Sequence, residues 1–319
     1  MITTVDIIQF SYFVPSIILL IIFVIRLTNE MIIKRNPIYN NNFFPLILFK
    51  SYSDIILMIS MFFCSRAARM NIMGDFYKEN DGIAIYYYII FEICYTNIYG
   101  VSLLSGLNTF IALVYPLRYN TWFSKKKIVV SLTITFFVGS IYGIAIAFFH
   151  PYYRYSESIK GYIITFKSVD VIYCAIAFSI VINIPIFALS TIMNIISSVK
   201  FAKYYKTMNV KNSQNVSMFV YTIISFFTYL IVVAYTFGKI LNFVTFQNDL
   251  VDSIAQIVLY WNIDLMTFGL FYTVLFLCSP LRDLLLFKSI EETSYNNATS
   301  STNINERLKS QQSKTLTIV

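Results

Sequence analysis

Histidine is almost missing from this chain. His150 is its single copy, which removes most histidine-based metal and acid–base chemistry from consideration. Cysteine is also scarce. Cys64, Cys94, Cys174 and Cys278 each lie in or beside an apolar run, and no two stand at the CxxC spacing of a metal or redox pair. They read as small buried apolar side chains. Charged residues make up 13% of the chain, where an average soluble domain carries about 25%. No HExxH, GxSxG or nucleotide-binding glycine loop is present, so neither an enzyme nor a bound cofactor is expected.

What the chain has instead is apolar length. It is 57% hydrophobic, with 30 Phe and 25 Tyr among 319 residues. The apolar runs fall at 10–32, 43–64, 83–113, 128–149, 170–196, 216–241 and 254–278. Each is long enough, at about 1.5 Å rise per residue, to span a hydrocarbon core of about 30 Å. The expected fold is an all-α bundle of seven transmembrane helices. Met1–Gln9 carries no Lys or Arg, unlike a signal peptide, so the first run reads as a retained helix. Residues 1–288 form the membrane domain on this reading. Residues 289–319 read as a polar, disordered tail.

The net charge of +8 is explained by topology rather than by nucleic acid. With the N-terminus outside, the inner segments hold Lys34, Arg35, Arg118, Lys125, Lys126, Lys127, the lysines of loop 197–215, and the basic residues after Pro280. The outer segments hold fewer: Arg66, Arg69, Lys78, Arg154, Lys160 and Lys167. Lys and Arg concentrate on the cytoplasmic side, so the C-terminus is expected inside. The segment Pro280–Phe287 suits a short amphipathic helix along the inner leaflet, Pro being tolerated in a first turn.

Ionisable groups inside a span are costly and point to a function or a partner. Lys50 and Asp54 stand four apart on the second helix, as a local pair or as part of an interhelical polar network. On the third helix, Tyr88, Glu92, Tyr95, Thr96 and Tyr99 follow helical spacing. This face either lines an outward-opening cavity for a small ligand or is an aromatic packing stripe with one buried acid. Asn262 and Asp264 on the seventh helix raise the same question, and Lys239 is a potential partner for Glu92 or Asp264. Pro185, in Asn183-Ile-Pro185, marks a plausible bend in the fifth helix, and Pro15 another in the first.

Seven helices fit several machines. A retinal-type pump needs a lysine in the seventh span, and Ile254–Cys278 has none. No internal repeat suggests a transporter, and no filter or ring of charge suggests a channel. A signalling receptor remains. The segment Leu104–Phe123, at the end of the third helix, resembles the nematode serpentine receptors of class gamma, with a sister class as the alternative. The matching residues are Asn108, Phe110, Pro116, Leu117, Tyr119 and Trp122. Size, seven spans and polar tail agree over nearly the whole chain. The resemblance implies a chemosensory receptor for a small molecule in the plasma membrane of sensory neurons, with a heterotrimeric G protein as partner. It assigns the matched segment, with Thr109, to cytoplasmic coupling. Two departures stand out. Thr109 occupies the position where the family usually has Arg, and loop 150–169 lacks the Cys of the usual rhodopsin-like disulfide. A non-signalling scaffold or co-receptor is the alternative reading, and a transporter a lesser one.

Overall fold

In the computed structural model, residues 4–39, 42–157, 160–207, 213–241 and 258–286 are described. Among them, seven helices are long and apolar enough to cross a bilayer. They are α1 (Val5–Ile33), α2 (Phe43–Arg69), α3 (Asp81–Val114), α4 (Lys125–Ala147), α5 (Asp170–Ala202), α6 (Phe219–Gly238) and α7 (Val258–Leu277). A short α8 (Ser279–Leu285) follows. Residues 254–257 of the expected seventh run, and the expected tail, lie outside the described residues.

α3 is the axis of the bundle. Its 34 residues rise about 51 Å, well beyond a hydrocarbon core of about 30 Å, and it touches α2, α4, α5 and α6. Apolar helices gain little by leaving lipid for one another, so close packing and polar contacts must hold them together. The α3–α4 crossing uses close packing. Gly139 and Gly143 form a GxxxG pair on α4, and the α3 backbone lies directly on it. A Cβ at Gly139 would sit 2.9 Å from the Ile93 Cα, and one at Gly143 would sit 2.9 Å from the Ile89 carbonyl oxygen. α5 buries little of its surface in the bundle and leaves most of its apolar side chains facing outward.

Four of the spans contain π-helical turns, at Asn29–Ile33, Phe62–Arg66, Ser179–Asn183 and Leu265–Gly269. The one in α5 directly precedes Pro185, whose missing N–H breaks the regular ladder. The nearby Asn183 carbonyl accepts a hydrogen bond from the Tyr229 hydroxyl of α6 at 3.1 Å. At Pro15, by contrast, α1 continues as α-helix.

Three loop expectations change. Residues 151–166, expected as plain loop, contain an antiparallel hairpin of β1 (Pro151–Ser156) and β2 (Gly161–Phe166), with Pro151 opposite Phe166. Much of loop 197–215 is helical, because the α5 helix continues to Thr207 and carries Lys200, Lys203 and Lys206 with it; Lys211 lies outside the described residues. Arg66 and Arg69, placed in a loop by the sequence, belong to the end of α2. α8 is a separate helix rather than a frayed end. Cys278 is extended between it and α7, and Pro280 sits in its first turn. Leu281 and Leu284 are buried, and Arg26 of α1 donates to the Leu284 carbonyl at 2.7 Å.

The glycine packing yields a test. Gly143→Leu forces side-chain atoms into the α3 backbone and should cost about 1–3 kcal/mol, read as a lowered unfolding midpoint of the purified protein. Gly82→Ala, where nothing lies within 4 Å of the added Cβ, should leave the midpoint close to wild type.

Candidate functional site

The hairpin end of the bundle holds two groups of polar residues that the sequence had placed together. The first lies between α1, α2 and α7. Arg66 and Asp264 form a buried ion pair at 2.6 Å, and the Tyr12 hydroxyl donates to the other Asp264 oxygen. The π-turn Phe62–Arg66 contains this arginine. Its guanidinium also lies 5.3 Å from the Tyr260 ring centroid and 5.9 Å from that of Phe13. One turn on, Arg69 pairs with Asp6 of α1 and lies 4.9 Å from the same Tyr260 ring. Both Asp264 oxygens are therefore engaged, which fits a structural tie better than an open ligand contact. Asn262, also buried, has an amide nitrogen without a hydrogen-bond partner among the described residues.

The second group surrounds Glu92 on α3. Its carboxylate interacts electrostatically with Tyr88, Tyr95 and Tyr99 of α3, Tyr142 of α4 and Cys174 of α5. Tyr88 is also electrostatically coupled to Tyr235 of α6 and Tyr260 of α7. Tyr95 and Tyr99 meet at 4.6 Å, Tyr99 packs on Tyr229 at 4.6 Å, and Tyr142 stacks on Phe178 at 3.7 Å. Glu92 remains partly exposed, whereas Asp54 and Asp264 are buried. Among the described residues it makes no ion pair and no hydrogen bond through its carboxylate. The Lys239 side chain lies outside the described residues.

Of the seven expected pocket residues, Tyr88, Glu92, Tyr95 and Tyr99 thus gather at one place. Thr96 is buried at the α3–α4 crossing, its Cβ 3.0 Å from where a Gly139 side chain would begin. Asp264 belongs to the α1–α2–α7 cluster. Helical spacing could not show that displacement, because it depends on which neighbouring helix sits opposite. Tyr142 was missed by the sequence reading, although the flanking glycines of α4 were a signal that its face turns inward.

The hairpin covers this end without a disulfide, all four cysteines being free. The Tyr153 hydroxyl donates to the Cys64 carbonyl at 2.6 Å, and its backbone N–H donates to Asp81 at 3.1 Å. Burial pushes the Tyr153 phenol above its ordinary range, which keeps it a neutral donor. Phe166 packs on Tyr88 at 4.6 Å, and Gly161 lies so close to the Arg69 carbonyl that no side chain would fit.

Deeper in the bundle, Lys50 resolves the two readings of its pair by doing both. It bonds Asp54 at 2.6 Å and, across the bundle, the Met266 carbonyl of α7 at 2.8 Å. Met266 lies in the π-turn Leu265–Gly269, where the altered ladder leaves room for an outside donor. Asn97 of α3 joins this layer through Ser53 at 3.4 Å.

At the opposite end, Thr109 donates to the Ser105 carbonyl and shares a 3.1 Å hydroxyl–hydroxyl bond with Thr222 of α6. Asn108 is fully buried and accepts from the Tyr119 hydroxyl at 2.6 Å. Burial raises the Tyr119 pKa. Pro116–Arg118 makes a tight turn that leaves Leu117 wholly exposed, while Trp122 packs on Tyr115 at 5.0 Å.

Seven membrane-spanning helices around a long third helix, with a polar aromatic site at one end and a shaped turn at the other, define a multi-pass membrane protein of the seven-transmembrane receptor class. Over residues 9–289 the chain matches the family model described as serpentine type 7TM GPCR chemoreceptor Srv, and it belongs to that nematode chemoreceptor family. The third-helix segment resembled class gamma of the nematode serpentine receptors; the class whose model matches is Srv. A comparison with curated proteins finds no match.

The two acids at the hairpin end should behave differently. Asp264→Asn leaves Arg66 as an uncompensated buried charge, a change that costs about 3–5 kcal/mol in buried pairs. Surface delivery should fall sharply, and Arg66→Met with Asp264→Leu should recover much of it. Cell-surface labelling measures both.

Proposed function

We propose that this chain is a chemosensory receptor that binds a small molecule near Glu92 and signals to a heterotrimeric G protein from the opposite end. The hairpin end faces outward in this reading, and α8 with the Pro116–Trp122 turn faces the cytoplasm. The basic residues Arg118, Lys125, Lys126 and Lys127 support that orientation. The observation that carries the reading is what α3 holds at its two ends. It presents a partly uncovered carboxylate among tyrosines at one end and leads into the exposed Leu117 turn at the other.

Signalling requires two bundle arrangements that a ligand and a cytoplasmic partner both distinguish. The seam between α3 and α6 is the place for such a change. It is held by Tyr99 against Tyr229, by a Ser102–Ser225 bond at 3.1 Å and by the Thr109–Thr222 bond. These contacts are neutral, and hydroxyl bonds between membrane helices average only about 0.6 kcal/mol. An arginine at position 109 would have offered a charged tie. The threonine offers a weaker one.

That same departure favours a second reading, a scaffold or co-receptor that reaches the surface without coupling. Nucleotide exchange on G proteins in surface-calibrated membranes separates the two. Thr109→Val should raise ligand-independent exchange about threefold, the equivalent of one such bond. Leu117→Asp should lower it to the level of receptor-free membranes. Exchange at that background level for wild type and Thr109→Val alike would reject coupling and leave the scaffold reading.

A further inference from the structure

The geometry points to an organic ammonium ion as the ligand of the Glu92 site: a protonated amine or quaternary ammonium seated on the carboxylate within a cage of tyrosine rings. The inference rests on the receptor reading and specifies its chemistry.

A carboxylate deep in a membrane bundle needs a partner, because its charge is poorly solvated there. Three buried acids near the centre and the hairpin end have theirs. Asp54 holds Lys50, Asp264 holds Arg66, and Asp6 holds Arg69. Those three pairs occupy Lys50, Arg66 and Arg69. Glu92 has no cation among the described residues, and it alone of these four acids keeps exposed surface. The uncovered part of Glu92 can therefore receive a cation that no described side chain supplies.

The surrounding chemistry selects the kind of cation. A small hydrated metal ion would want several oxygen ligands, and no group of three or more His, Cys, Asp or Glu side chains gathers among the described residues. What gathers is aromatic: Tyr88, Tyr95, Tyr99 and Tyr142 all interact with Glu92. Ring faces attract soft organic cations, and such cages are an established way to bind ammonium groups. Tyr95 and Tyr99 meet at an interplanar angle of 65°, so they present a corner rather than a flat wall. An anionic ligand would be repelled by Glu92. A neutral one would gain nothing from the charge that Glu92 can carry.

Three probes of one shape and different charge test this: 2-phenylethylammonium, 2-phenylethanol and phenylacetate, with tetramethylammonium as a fourth. Each is titrated into the purified full-length receptor in lipid nanodiscs, and the thermal midpoint is followed. Both ammonium ions should raise the midpoint in a saturable way, and the alcohol and the carboxylate should not. Glu92→Gln should weaken the ammonium response at least tenfold. Glu92→Asp, which keeps the charge, should retain part of it and guards against a simple folding defect. Equal responses to amine and alcohol, an undiminished amine response in Glu92→Gln, or no response to either ammonium ion would overturn the proposal. Those results would leave the coupling test untouched, since nucleotide exchange in Thr109→Val is read without ligand.

Discussion

The bundle depends on how buried charge is neutralised. In lipid, the apolar surface of a helix gives no strong reason to prefer a neighbouring helix over the bilayer. Lys50 and Arg66 change that for α2. Each is buried, and each reaches α7: Lys50, already paired with Asp54 on its own helix, through the Met266 carbonyl, and Arg66 through its ion pair with Asp264. Tyr12 and Asp6 draw α1 into the same arrangement. Separating these helices would expose one or more charges to hydrocarbon, so α1, α2 and α7 form the firm side of the molecule.

The other side is built differently. α3 meets α4 through the glycines of α4, with backbones almost in contact. It meets α6 through hydroxyls and rings, without an ion pair among the described residues. Close glycine packing is stiff, because any approach or rotation produces a clash. Hydroxyl bonds are easily exchanged for others nearby. The α3–α6 seam can thus open at modest cost while the α1–α2–α7 side and the α3–α4 crossing hold their shape. Glu92 and its tyrosines touch helices on both sides of that seam, which is where a bound ligand can bias it.

Much of this was legible in the sequence. Apolar length gives seven spans, because a bilayer sets a minimum that few soluble helices approach. The spacing of Tyr88, Glu92, Tyr95 and Tyr99 identifies a shared face, because helical geometry is local. A bend near Pro185 follows from its missing N–H, although its form as a π-turn does not. Partners were not legible. Asp264 and Glu92 look alike in sequence, as intramembrane acids one would place in a pocket. Only the position of Arg66, brought inward by the extension of α2, separates a saturated tie from an open carboxylate. The hairpin was also hidden, because its anchors, Asp81 and the Cys64 carbonyl, come from other helices. Lys50 shows the same limit in another way: its partner at i+4 is local, but its bond to Met266 depends on a π-turn far along the chain.

The central claim is that signalling requires α3 and α6 to part at the Thr109–Thr222 contact. The direct measurement is a reversible cross-link. With Thr109→Cys and Thr222→Cys together, oxidation of receptor membranes should join the two helices. Ligand-independent nucleotide exchange should then fall to the receptor-free level and return on reduction. Exchange that is unchanged in the cross-linked receptor, with the cross-link verified in the same membranes, would contradict the claim.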